Sequence, residues 1–163
     1  MDIIVREYKT EDLNKMIAIW NEVVESGTAF PQINLLDESK GKEFFESQTC
    51  CAVAENTDNG KICGLYILHP NNVGRCGHIC NASYAVAFES RGCGVGESLV
   101  NDCLSRAKVN GFKILQFNAV VKTNAAARKL YEKLGFIQLG VIPGGFLMKD
   151  GRYEDICPYY YKL

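Results

Sequence analysis

The chain has 163 residues, 18 Lys+Arg against 19 Asp+Glu, and a formal net charge of −1. That balance excludes a protein that coats nucleic acid or anionic membrane through bulk attraction, and no apolar run approaches the ~20 residues that span a bilayer. With 47% hydrophobic residues, residues 1–163 can bury the core of one domain, and an N-terminus broken by Asp2 and Glu7 reads as no signal peptide, so a cytoplasmic protein is expected.

Ile3, Val5 and Tyr8 outline a short first strand. Thr10 is the expected N-cap of a helix in which Leu13, Met16, Ile17, Trp20 and Val24 recur at helical spacing, with Gly27 as its stop. A shorter helix is expected over Glu38 to Ser47. Cys51–Ala54 and Ile62–Leu68 read as strands joined at Asp58-Asn59-Gly60, since Asn-Gly is a strong hairpin signal. His78–Ala87 is a third extended run, dense in small and β-prone residues. After a glycine cluster, Leu99, Cys103, Leu104 and Ala107 predict a helix ended by Gly111. Ile114–Val121 reads as a strand, Asn124–Leu134 as a helix closed by Gly135, and the last residues as a hairpin turning at Asp150-Gly151 into Tyr153–Lys162. The order β-α-α-β-β-β-α-β-α-β-β implies a mixed α/β domain, with a strand–helix–strand crossover beside antiparallel hairpins. The aromatic terminal strand offers an edge that soluble proteins cover or pair, which suggests a homodimer.

Eight cysteines, with no Cys-x-x-Cys pair, do not fit a disulfide scaffold in a chain of this length. Most are expected to be reduced and buried as small hydrophobes. Cys76, His78 and Cys80 alternate along an extended run and could share a face, but no fourth ligand is evident and no metal is expected.

The informative stretch is Arg91-Gly92-Cys93-Gly94-Val95-Gly96, between a strand and an amphipathic helix. Glycines let a backbone approach a ligand closely and adopt positive φ, and the orphan amides of the following helix start point at an anion. Arg91 adds a fixed positive charge suited to phosphate oxygens. Glu97-Ser98 after the last glycine excludes a P-loop, and Glu97 stands where the dinucleotide fingerprint needs a third glycine. Cys93 sits at a helix N-terminus where thiolates are favoured, but its expected contribution is its amide.

Arg91-x-x-Gly94-x-Gly96, with Val86 five residues before it, resembles the pyrophosphate motif of the GNAT superfamily of acyl-CoA-dependent N-acyltransferases. Asn124-x-x-Ala127-x-x-Leu130-Tyr131-x-x-Leu134-Gly135-Phe136 resembles that family's second motif. Ile19-Trp20-Asn21-Glu22, Thr28-Ala29-Phe30, Pro143-Gly144-Gly145-Phe146 and Gly151-Arg152-Tyr153-x-Asp155 are similar to its phosphinothricin-acetyltransferase-like branch. The resemblance implies a splayed central sheet flanked by helices, with acyl-CoA, most simply acetyl-CoA, in the V between two parallel strands. Under it, the main chain of Tyr84, Ala85 and Val86 pairs with the pantetheine arm, and amides from Arg91, Gly92, Cys93, Gly94, Val95 and Gly96 bind the pyrophosphate. Asn124 hydrogen-bonds the pantetheine amides, Ala127 lines the same helix start, and Tyr131 faces the thioester sulfur.

The implied reaction is direct attack of a primary amine, small or amino-acid-like, on the thioester, with Tyr131 as general acid. An amide near Val86 would stabilise the oxyanion. The branch places a Glu five residues before Val86, and here that residue is Asn81, which cannot take a proton. Glu22, His78 or a water relay remain as candidate bases, and a non-catalytic acyl-CoA-binding module is the alternative.

Overall fold

A computed structural model describes residues 2–163. The strands β1 (Ile3–Glu7), β2 (Cys50–Asn56), β3 (Lys61–Pro70), β4 (Ile79–Val86), β5 (Ile114–Val121), β6 (Ile137–Gln138), β7 (Ile142–Leu147) and β8 (Tyr153–Lys162) form one sheet. Its order is β1-β2-β3-β4-β5-β8-β6, and β7 pairs with the other half of β8. The helices are α1 (Leu13–Ser26), α2 (Glu38–Glu46), α3 (Val95–Val109) and α4 (Ala125–Lys133). Splayed mixed sheet and flanking helices match the expected architecture.

Two apolar clusters hold the layers together. On one face Trp20, Met16 and Phe45 of α1 and α2 pack on Val53, Leu65 and Ile67. On the other, Leu99 and Cys103 of α3 pack on Tyr66, Leu115 and Tyr159. Burying these side chains contributes about 1.5–3 kcal/mol for each large one, and this burial is what chiefly holds helices to sheet.

Three local expectations are corrected. Thr10 does not cap α1: residues Thr10–Asp12 form a 3-10 turn, and α1 begins at Leu13. The cause is Asp12, whose carboxylate accepts from the Lys9 amide at 2.7 Å and from the Arg6 guanidinium at 2.7 and 3.0 Å. The two-residue strand β6 has no counterpart among the predicted elements, being too short to show a period. Cys76, His78 and Cys80 do not share a strand face: Cys76 lies in a 3-10 turn before β4, and Cys80 is buried with its thiol donating to the Ile114 carbonyl. All eight cysteines are free and five are buried, as small hydrophobes should be. Burial pushes the Cys51 and Cys80 thiols up to about 12.

The feature that positions the site is the junction of β4 and β5. They run parallel but pair only at Ile79↔Ile114 and Cys80↔Leu115. Beyond Cys80 the strands part. The β4 side of the gap stays held by β3, which pairs with it as far as Gly64↔Val86.

Candidate active site

Backbone alternation decides what β4 offers to the gap. The His78 carbonyl accepts from Ile114, and the Ala87 amide donates to Cys63 on β3. Successive residues of a strand address opposite neighbours, so the main-chain groups of Ala82, Tyr84 and Val86 point into the gap without a strand to receive them. Ala85 addresses β3 instead, opposite Leu65, and its side chain is buried beneath α1.

The glycine loop closes one end of this gap. Gly92 and Gly94 have φ of +75° and +82°, and a Cβ at either would meet open space. The chain thus turns with its backbone bare toward the cleft. The first intrahelical bond of α3 runs from the Ser98 amide to the Gly94 carbonyl at 3.1 Å, which leaves the amides just before it as the helix's orphan donors. Val95 gives only its amide, because its side chain is buried in the core. Cys93 is exposed, its thiol 3.6 Å from the Arg91 carbonyl. The Arg91 guanidinium stacks over Phe88 at 5.3 Å, and its Nε donates to the Val86 carbonyl at 3.4 Å. Glu97, an acid beside an anion cradle, is held by Lys133 of α4 at 2.7 Å, which offsets its charge.

The resulting cleft has a volume of about 780 Å³, within the range of small-molecule sites. Val86, Gly94, Asn124, Ala127, Tyr131 and Met148 are among its lining residues. Asn124 caps α4 by accepting from the Ala127 amide at 3.2 Å, which leaves its side-chain NH₂ to donate. Tyr131 sits in an aromatic group, its ring centroid 4.4 Å from Phe117, 6.4 Å from Tyr84 and 5.5 Å from Phe136. Burial pushes the phenol above its ordinary range, so it keeps its proton at any working pH. Burial does the same to Tyr84, whose hydroxyl lacks a hydrogen-bond partner among the described residues.

The candidate bases lie elsewhere. The Glu22 carboxylate accepts from the Phe88 amide at 3.2 Å, pinning α1 to the turn after β4. His78 stands just before β4, at the opposite end of the strand from Val86, and its carbonyl binds the start of β5. Neither lines the cleft. What does meet the point where β4 and β5 part is a group of amides: Asn81 donates to Asn71, Asn118 donates to Asn71 at 2.7 Å, and Gln116 donates to Asn118 at 3.0 Å. Asn71 carried no sequence signal, because it follows β3 and joins the others only through tertiary contact.

A parallel pair that splits after two residues, a glycine loop at its open end and an aromatic phenol on the helix beyond match one family in particular. The family model of the Acetyltransferase (GNAT) family matches residues 16–136. The chain belongs to that family. It is 31% identical to the N-acetyltransferase aca1 of Schizosaccharomyces pombe, over 94% of this chain and 81% of that protein. A GCN5-related N-acetyltransferase from Kribbella flavida is 30% identical, covers 99% of this chain and 98% of its own, and superposes with a TM-score of 0.91. A GNAT superfamily phosphinothricin acetyltransferase from Sinorhizobium meliloti, solved in complex with AcCoA, shares the fold with a TM-score of 0.91 at 21% identity, over 100% of this chain and 89% of that one. The chain is an acyl-CoA-dependent N-acetyltransferase of the GNAT fold.

Proposed function

We propose that this acetyltransferase moves an acetyl group from acetyl-CoA to a primary amine on a small or amino-acid-like molecule, by direct attack with Tyr131 as the acid. The observation that carries this reading is the V left where β4 and β5 part after Cys80 and Leu115, with Tyr131 facing it from α4. In this reading the free edge of β4 at Tyr84 and Val86 pairs with the pantetheine arm like an added strand. The amides from Arg91 to Gly96 take the pyrophosphate, aided by the α3 dipole. The Asn124 NH₂ donates to a pantetheine carbonyl. A β4 amide near Val86 stabilises the oxyanion, and Tyr131 returns a proton to the departing sulfur.

Acetyl-CoA bound to the phosphinothricin acetyltransferase of the same fold supports the choice of donor. Thiol release from acetyl-CoA, followed across a panel of amines and amino acids, tests the reading and identifies the acceptor.

The same proposal takes residues 1–163 as one domain, cytoplasmic and homodimeric. No helix among the described residues is long and apolar enough to cross a membrane. Eight free thiols suit a reducing compartment. Leu147 and Tyr153 stand opposite each other and exposed on β7 and β8, an apolar pair that a second copy would cover.

A further inference from the structure

We propose that the Tyr84 ring, joined to Phe117 across the gap between β4 and β5, sets the length of the acyl chain and admits acetyl in preference to longer chains. This inference rests on the acyltransferase reading above and deepens it, by assigning selection of the acyl group to two side chains outside the coenzyme motifs.

In the run Asn81-Ala82-Ser83-Tyr84-Ala85-Val86, Tyr84 is the one aromatic side chain. Alternation puts it with Ala82 on the α3 face of the sheet, where both belong with Leu99 and Cys103. β5 supplies Phe117 to the same face, two residues past Leu115, its last pairing with β4. The main chains have parted here, but the side chains have not. The Tyr84 and Phe117 rings meet with centroids 5.9 Å apart and planes at 84°, an edge-to-face contact across the gap.

Neither ring is free to turn aside. Tyr66 of β3 packs on Tyr84 at 5.9 Å, and Phe136 stacks on Phe117 at 4.9 Å. Phe117 is only 4% exposed, and it is the last β5 residue paired with β8, opposite Tyr159, before the register shifts. A wall packed in this way does not yield easily to an added methylene, because interiors hold few voids and their side chains already sit in rotamer minima.

The bridge lies beside the reacting atoms. Tyr84 and Tyr131 both line the cleft. The Tyr131 ring is 4.4 Å from Phe117 and 6.4 Å from Tyr84, so the phenol that faces the thioester belongs to the same group of rings. In the reading above, the pantetheine arm enters from the glycine loop past Val86, and the acyl group is the part of the donor that reaches deepest. With the sulfur at Tyr131, the two carbons of an acetyl group end against the bridge. A propionyl or butyryl chain has to displace rings that are held in place by their neighbours.

Donors of increasing length test this, with one amine acceptor and thiol release as the readout. In the wild type, kcat/KM should fall by roughly 10–200-fold for each methylene added from acetyl- to propionyl- to butyryl-CoA. Tyr84→Leu and Phe117→Leu each open space at the bridge, and their preference for acetyl- over butyryl-CoA should shrink by roughly tenfold or more. A melting-temperature shift with acetyl-CoA shows that each variant folds and binds the donor. A merely structural role for the rings lowers all three donors alike and leaves that preference unchanged. A wild type that uses the three donors within about threefold of one another would overturn the proposal. So would an unchanged preference in both variants once they are shown to bind acetyl-CoA. If the wild type releases no thiol from acetyl-CoA with any amine, the acyltransferase reading fails first and separately.

Discussion

Tyr131 and Phe117 lie with ring centroids 4.4 Å apart and planes tilted by 37°, so α4 is fastened to β5 by the same side chain that faces the cleft. The ring packs and the hydroxyl serves chemistry. Tyr131→Phe keeps the ring, and it should bind acetyl-CoA as wild type does. Its chemical step should slow by roughly 10²–10³-fold. Because burial raises the phenol, its titration supplies no high-pH limb in the working range, and the substitution should leave the shape of the rate profile unchanged. Single-turnover rates across pH check both points. Wild-type turnover in Tyr131→Phe would remove the hydroxyl from the reaction.

Gly94 turns at φ +82° with open space where a Cβ would stand. Gly94→Ala should cost about 1–2 kcal/mol through the left-handed backbone alone, and the melting temperature of the unliganded protein should fall accordingly. Gly94→Glu adds a carboxylate to an anion cradle and should also abolish stabilisation by acetyl-CoA. At ~100 times Kd that stabilisation is about 2.7 kcal/mol in the wild type. Calorimetry with and without the ligand separates strain from lost binding.

Asp12 supplies a pH dependence of stability. The Arg6 guanidinium, 2.7 Å away, holds its carboxyl below the usual range, and the Lys9 amide adds to the effect. A folded value below the unfolded one, roughly 3.9, means the contribution is full above that pH and drains away as pH falls through the folded value. Asp12→Asn should lower stability at pH 7 by about 1–3 kcal/mol and flatten the acid limb of the stability profile below about pH 4. Denaturant unfolding at several pH values checks this. An unchanged acid limb would show that the pair contributes nothing.

The exposed pair of Leu147 and Tyr153 should bury itself in a dimer. Sedimentation at micromolar concentration should give about twice the 18.1 kDa of the chain, and Leu147→Glu with Tyr153→Glu should return the monomer. A single 18.1 kDa species in the wild type would contradict the dimer.

Much of the site was legible because its chemistry is local in sequence. The strand, glycine loop and helix start from Val86 to Gly96 follow one another, and Asn124 to Phe136 carry capping and aromatic positions at helical spacing. Legibility stops where position depends on register. Ala85 and Val95 belong to the same run, yet their side chains turn into the core; Val95 keeps only its amide to offer, and the Ala85 backbone is turned to β3. Glu22 is spent on the Phe88 amide, a contact 66 residues away that no spacing announces. Asn71 has no periodic signature, and its place beside Asn81 and Asn118 is set by tertiary contact. Thr10 has the right composition for a cap, but Arg6, brought beside Asp12 by β1, moved the helix start.

The most direct measurement is the wild type's amine-dependent release of CoA thiol from acetyl-CoA, with the acetylated product identified by mass. The expected result is thiol release that needs both substrates, saturates with one class of amine, and yields a product heavier than that amine by one acetyl group. Equal thiol release with and without every amine tested, while acetyl-CoA still raises the melting temperature, would contradict transfer to an amine.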